Sequence, residues 1–146
     1  MDQKLIPVIA ETTVSASPQE AWAAITEQPQ MIKWYFEDIP DFKAEVGFET
    51  SFNVHSGGRD FNHLWKVLEV EQERKIAYTW LYEDFEGDGK VIFEVIPVDN
   101  GTTIRLTCLG IETFQKGIPE FTREACQGGW NYFISERLNA YLEGNL

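Results

Sequence analysis

The strongest constraint on the fold is a run of five segments, between residues 48 and 110, in which apolar and polar residues alternate. A period of two places the apolar side chains on one face of a β-strand. Short turns separate the segments, and Asn100-Gly101 is the strongest turn signal because this pair favours a two-residue hairpin. The segments therefore predict an antiparallel meander. They read FETSFNVHS, FNHLWKVLEVE, KIAYTWLYED, KVIFEVIPV and TTIRLTCLG.

Other elements flank this meander. A first strand is predicted within 5–15, followed by a helix that Ser17 caps and whose capping box Glu20 completes. A second short helix is predicted around Trp34. Residues 128–146 place most of their apolar side chains on one face of a long terminal helix, which is the only long cover for the apolar face of the sheet. The predicted fold class is therefore α+β, with a curved antiparallel sheet around a long C-terminal helix and two short helices after the first strand.

Charge and length restrict the classes of partner. The chain has 24 acidic and 12 basic residues, a net charge of −12, so phosphate backbones and anionic membranes repel it. We expect no nucleic-acid partner and no membrane partner. Residues 1–146 fit a single domain. Cys108 and Cys126 match no paired spacing and no export signal is recognisable, so we expect free thiols and a cytoplasmic protein.

Four stretches, in order, resemble a known family. They are SASPQEAWAAIT, MIKWYFED, VLEVEQERKIAYTW and GGWNYFISERLNAYLEG. Together they are similar to the START-like helix-grip (SRPBCC) superfamily and, more narrowly, to homologues of the activator of the heat-shock protein 90 ATPase. The resemblance implies a helix-grip fold with a deep apolar cavity between sheet and terminal helix. It implies no fixed chemistry, because one fold hosts many functions.

The aromatic residues indicate where such a cavity would lie. Rings are stiff and bulky, so a bent sheet lined with them packs poorly under a single helix and leaves space for a hydrophobic guest. We expect hydrogen bonds from the Tyr78 hydroxyl and the indole nitrogens to orient that guest. The predicted ligand-binding residues are Trp34, Phe36, Phe52, His63, Trp65, Tyr78, Trp80, Phe93 and Trp130.

Gly128 and Gly129 lie where the terminal helix is predicted to begin. Glycine inside a helix costs about 1 kcal/mol relative to alanine, so two in succession need a reason. One reading is a break between a short helical turn and the long helix. The other is a close approach of a ligand or of the sheet to the helix backbone.

The sequence predicts no catalytic, metal or cofactor site. Neither His55 nor His63 has a partner at metal-ligand spacing, and nucleotide-binding, hydrolase and metalloprotease motifs are absent from the sequence. An isolated histidine on an apolar strand face is more often a core residue than a catalyst. Glu94 and Arg105 are expected to be solvated cross-strand partners.

Three functions remain open. The first is a binding protein for a small hydrophobic or aromatic molecule. The second is a protein-interaction module of the chaperone-ATPase-activator type, docking through its acidic face or an aromatic edge at 34–38. The third is a cyclase, dehydratase or hydrolase that uses the same cavity, with His63, Tyr78 or a lone carboxylate as its reactive group. Monomer and homodimer are both compatible with the sequence.

Overall fold

The computed structural model describes residues 7–145. Six antiparallel strands form one sheet in the order β1-β6-β5-β4-β3-β2, so the last strand lies beside the first. The predicted first strand is confirmed from Val8 onward, and its residues 5 and 6 lie outside the described range. The strands are β1 (Val8–Val14), β2 (Glu49–Ser56), β3 (Arg59–Glu71), β4 (Lys75–Tyr82), β5 (Gly89–Val98) and β6 (Gly101–Leu109).

The alternation in the meander decides which face of the sheet is buried. In β5, Val91, Phe93 and Val95 are buried and the residues that alternate with them are half-exposed. The predicted hairpin joins β5 to β6, but its two loop residues are Asp99 and Asn100, because Gly101 pairs with Val98 and belongs to β6; Asn100 takes a positive φ of 63°. On the outer face Glu94 pairs in register with Arg105, and the predicted cross-strand contact joins their Oε1 and Nη1 atoms at 4.0 Å.

Two short helices follow β1, as predicted. The first, α1 (Pro18–Thr26), has the expected capping box: the Glu20 N–H donates to the Ser17 hydroxyl at 3.1 Å, and the Ser17 N–H donates to the Glu20 carboxylate at 3.0 Å. The second is α2 (Gln28–Trp34). The Trp34 indole N–H donates to a main-chain carbonyl of α1 at 2.8 Å and so fixes the two helices together.

The C-terminal helix begins earlier than the sequence indicates. Thr122 caps α3 (Arg123–Trp130) by accepting a hydrogen bond from a main-chain N–H of the first turn at 3.1 Å. The helix continues without interruption through a π-helical segment (Asn131–Leu138) into α4 (Asn139–Leu142). Gly128 and Gly129 therefore lie inside α3, and the predicted break at these glycines is wrong because the cap lies well upstream of them.

Polar side chains of this helix cover the free edge of the sheet. Donors on the helix are spaced by multiples of four residues, and the carbonyls that they reach alternate along β1. From the first donor to the last the helix advances 16 residues, about 24 Å, and the carbonyls advance six residues, about 20 Å, so helix and strand run side by side over a similar length. An edge covered in this way does not pair with another strand. The four bonds are Arg123 to Pro7 O (3.0 Å), Gln127 to Ile9 O (3.0 Å), Ser135 to Glu11 O (3.2 Å) and Asn139 to Thr13 O (3.4 Å).

Candidate functional site

The nine residues predicted to bind a ligand all lie between the sheet and the C-terminal helix. Eight are buried and Phe36 is half-buried. Most of them pack against one another: the rings of Phe52 and His63 stack with their centroids 4.9 Å apart, and those of Trp65 and Tyr78 lie 4.7 Å apart. The predicted set is therefore a single aromatic cluster.

Tyr35, which was not among the predicted residues, fills the centre of this cluster. Its ring stacks on Trp34 with a centroid distance of 4.6 Å and lies 5.2 Å from the ring of Phe133 on the helix. Its hydroxyl is 3.1 Å from the hydroxyl of Tyr78, and burial raises the pKa of both phenols, so they share one hydrogen bond and stay protonated. The middle of the space between sheet and helix is thus occupied by protein.

This burial also removes one of the surfaces considered for protein docking. Trp34 and Tyr35 are buried and Phe36 is half-buried, and only the acidic Glu37 and Asp38 are exposed in that stretch. The predicted aromatic edge at 34–38 is not present at the surface.

His63 faces inward, as predicted. Its Nδ1 lies 2.9 Å from the Phe61 carbonyl oxygen, and within residues 7–145 no acidic or basic side chain is hydrogen-bonded to it. Burial lowers its pKa to about 4, so the ring is neutral at pH 7 and Nδ1 carries the hydrogen that it donates. This environment is that of a core histidine.

Open space between sheet and helix remains at one end of the aromatic cluster. There a cleft of about 120 Å³ has β4 and β6 on one side and α3 on the other. Trp80 and Trp130 are the two members of the predicted set that line it. The lining residues are Trp80, Tyr82, Cys108, Phe114, Glu120, Ala125, Cys126, Gly129, Trp130 and Phe133.

Gly128 and Gly129 are both exposed, and neither is crowded by its surroundings. A Cβ atom built on Gly129 meets no atom within 4 Å, and the same holds for Gly128. Of the two glycines, Gly129 lines the cleft. The sheet therefore does not approach the helix backbone at either glycine, and of the second sequence-based reading only the close approach of a ligand stays as a prediction.

Several polar groups border the cleft. The Trp80 indole N–H donates to the Tyr82 hydroxyl at 2.7 Å, and burial raises the pKa of that phenol. Burial raises the pKa of Cys108 to about 12 and that of Cys126 to about 11, so both are uncharged free thiols at pH 7. The phase of Cys108 with Leu106 in the β6 pattern was the one sequence signal that this thiol faces inward.

Glu120 contributes the carboxylate of the cleft. One of its oxygens, Oε2, accepts a hydrogen bond from the Ser56 hydroxyl at 3.3 Å. The other, Oε1, is buried and has no hydrogen-bond partner within residues 7–145. The sequence offered no signal for Glu120, because it lies in an irregular stretch that forms a 3₁₀ turn (Pro119–Phe121).

A larger groove of about 320 Å³ lies next to the cleft, and Phe114 lines both. Its walls come from the connection between β6 and α3, Ile111 to Arg123, and not from the sheet. The cleft fits the expected position between sheet and helix better than this groove does.

Neither a metal centre nor a membrane span is found in the part of the chain that the structure describes. Within residues 7–145 no group of three or more His, Cys, Asp or Glu side chains is placed to hold a metal ion. None of the helices there combines the length and the apolar character that crossing a bilayer requires.

The fold is that of a helix-grip protein, in which a curved antiparallel sheet packs around a C-terminal helix. Residues 15–143 match the family model described as "Activator of Hsp90 ATPase homolog 1-like protein". The chain belongs to this family. No curated protein is similar enough in sequence to count as a match.

Solved structures support the same fold. Protein CV1439 from Chromobacterium violaceum is 21% identical, with 94% of this chain and 96% of that chain aligned and a TM-score of 0.78. Protein MLL2253 from Mesorhizobium loti is 27% identical, with 96% and 98% aligned and a TM-score of 0.71. The Aha1 dimer from Colwellia psychrerythraea is 18% identical, with 97% and 98% aligned and a TM-score of 0.69.

Proposed function

We propose that this protein binds a small hydrophobic or aromatic ligand in the cleft between the sheet and the C-terminal helix. The observation that carries the proposal is the cleft itself, an open space bordered by the rings of Trp80, Trp130 and Phe133. A pocket of mostly apolar walls with a few polar groups is typical of small-molecule sites.

The volume of the cleft limits the size of the buried group. A cavity of about 150 Å³ lined by apolar side chains admits benzene. The cleft, at about 120 Å³, is smaller than that cavity but open on one side, so it suits one six-membered ring that is partly covered, or one end of a longer molecule whose remainder stays outside. At about 0.8 kcal/mol for each buried carbon, full burial of a six-carbon ring gains at most roughly 5 kcal/mol, so for a ligand such as toluene we expect a Kd on the order of 1 mM.

The two adjacent glycines provide a matched test. Gly129→Leu adds a side chain at a position that lines the cleft, whereas Gly128→Leu adds the same side chain to the same helix at a position that does not. Toluene is titrated into ¹⁵N-labelled wild type and into each variant, and amide chemical shifts are followed. We expect saturable shifts around Cys126 and Trp130 in wild type and in Gly128→Leu, and at least tenfold weaker binding in Gly129→Leu.

Two results would count against the proposal. Wild type could show no saturable shift up to the solubility of toluene, or Gly129→Leu could bind as well as Gly128→Leu. Circular dichroism of each variant shows whether the helix is retained, so that loss of binding is not confused with loss of fold.

A further inference from the structure

The two edges of the sheet differ in how they are covered. Side chains of the C-terminal helix bond to carbonyls of β1, such as those of Ile9 and Thr13. The opposite edge is β2, and β3 is its one neighbour among the described strands. Natural edge strands are usually covered, or carry lysine, proline or a bulge, because an open edge pairs with other strands. β2 reads ETSFNVHS, contains neither lysine nor proline, and keeps a regular register with β3.

The register shows which main-chain groups of β2 are open to pairing. Just before β2, the Val67 N–H donates to the Phe48 carbonyl at 2.9 Å. Because hydrogen-bonded positions alternate along an antiparallel pair, the N–H and C=O groups of the even-numbered residues of β2 face β3. Those of the odd-numbered residues point out of the sheet, and within residues 7–145 no hydrogen bond reaches them. These exposed residues are Glu49, Ser51, Asn53 and His55.

The β2 edge carries little of the charge of the chain and is complementary to itself. Glu49 is its one acidic residue, whereas the chain has 24 acidic residues. An antiparallel two-fold pairing of β2 with β2 of a second copy, centred on Phe52, uses all four outward residues of each strand. Glu49 then lies opposite His55 of the second copy, and Ser51 lies opposite Asn53. No like charges meet directly in this register.

Apolar side chains on the inner face add contacts to this pairing. In the same register the half-buried Thr50 lies opposite Val54 of the second copy, which is half-buried as well, and the two Phe52 residues lie opposite each other. Apolar surface continues from Phe52 to the half-buried Phe36, at a centroid distance of 5.3 Å, and on to the half-buried Phe133 of the helix at 4.9 Å. The edge therefore borders apolar surface that a single chain leaves partly open.

We propose that two copies of this chain associate through their β2 strands, so that their sheets join into one continuous antiparallel sheet. The four outward residues of each strand form four hydrogen-bonded pairs, with about eight main-chain hydrogen bonds in all. Such an interface is small, and each copy carries a net charge of −12, so the dimer is weak. Salt screens the repulsion between the copies and strengthens the association.

The test in wild type combines mass with amide hydrogen exchange. Sedimentation equilibrium from about 10 µM to about 1 mM should show the mass rising from that of one chain toward twice that value, at lower concentration in higher salt. At about nine-tenths dimer the amides of Ser51, Asn53 and His55 should exchange about tenfold more slowly than in dilute protein, because the remaining monomer alone exposes them. The amides of Phe52 and Val54 face β3, so their exchange should not depend on concentration in this way.

Two proline variants distinguish the two edges. Ser51→Pro removes an outward N–H of β2 and leaves the bonds to β3 in place, so it should weaken the dimer at least tenfold. Ile9→Pro is the matched control, because the Ile9 carbonyl is bonded to Gln127 and its N–H lies on the same covered side of β1. It should dimerise like wild type, and circular dichroism shows whether each variant is folded.

Three results would overturn the proposal. The mass of wild type could stay that of one chain up to about 1 mM, which would leave the edge to a different partner or to none. A dimer could form without the alternating protection of β2 amides, which would place the contact elsewhere on the surface. A folded Ser51→Pro variant could dimerise as well as Ile9→Pro, which would show that the β2 edge is not the interface.

Discussion

Acidification should destabilise the fold through His63. Burial lowers the pKa of this ring to about 4, whereas the same group titrates near 6.5 when the chain is unfolded. Between these two values the unfolded state binds a proton that the folded state does not. The contribution of His63 to the free energy of unfolding is therefore fully present above pH 6.5 and is lost as the pH falls from 6.5 to 4. Below pH 4 this group causes no further loss.

The size of this effect follows from the same two values. A gap of about 2.5 pH units, at 1.36 kcal/mol for each unit, corresponds to roughly 3 kcal/mol of unfolding free energy. This is a large share of the 5–15 kcal/mol that is typical of a folded domain. Many carboxylates also titrate in this range, so the contribution of His63 has to be isolated by a difference between proteins.

Urea unfolding at pH 4, 5, 6 and 7 measures that difference. His63→Gln keeps an N–H donor for the Phe61 carbonyl but removes the titrating ring, so its stability should fall less steeply with acid than that of wild type. His55→Gln is the matched control, because His55 is exposed and, among residues 7–145, its ring is hydrogen-bonded to Asp60 alone, on the same hairpin. If wild type and His63→Gln lose the same free energy between pH 7 and pH 4, the reasoning about the buried ring is wrong.

Three further predictions concern the aromatic cluster, the thiol and the glycines. Tyr35→Phe should lower the free energy of unfolding, measured with urea, by about 1–3 kcal/mol, because it leaves the Tyr78 hydroxyl buried and unpaired. The double variant Tyr35→Phe/Tyr78→Phe removes both hydroxyls and should recover much of this loss. If the effects of the two single changes simply add, the prediction is wrong. The rate at which iodoacetamide alkylates Cys126, measured by mass spectrometry, should rise about tenfold per pH unit between pH 8 and 10, because burial raises the pKa of this thiol to about 11. A rate that reaches a plateau near pH 8.5 would contradict this. Gly128→Ala and Gly129→Ala should each raise the free energy of unfolding, measured by thermal denaturation, by about 1 kcal/mol, because neither new Cβ meets an atom within 4 Å. A variant that is less stable than wild type would contradict this.

The sheet was predictable because its signals are local and repeated. Alternation places Phe93 and Val95 on the buried face whatever the rest of the chain does, and a register error of one residue would expose the whole set. The Asn100-Gly101 turn and the Ser17–Glu20 capping box are likewise set by a few neighbouring residues. The strand and the capping box are present where the sequence indicated them, and the turn is displaced by one residue, to Asp99 and Asn100.

The start of the C-terminal helix was not predictable from the same kind of signal. Two glycines normally weaken a helix, but Thr122 caps it upstream and the side chains of Gln127 and Asn139 fix it to the carbonyls of β1. Polar residues at helical spacing look like a solvated face in the sequence. Only the position of the β1 edge shows that they are bonded to it.

The position of the cleft depends on packing details that composition does not contain. Trp34, Tyr35 and Phe36 are consecutive, and nothing in their order shows that the middle ring turns inward to reach Tyr78. Once Tyr35 fills the centre, the remaining space moves to the Gly129 end of the helix. Two of the nine predicted residues border that space, and the binding role of the nine stays a prediction.

The most direct test of the central claim is a crystal soaked with bromobenzene, in which anomalous scattering locates the bromine without reference to the fitted side chains. The proposal that an apolar ring enters the cleft predicts a bromine peak between Gly129 and the rings of Trp80 and Trp130. A peak found only in the neighbouring groove from Ile111 to Arg123, or no peak in a crystal soaked to saturation, would contradict it.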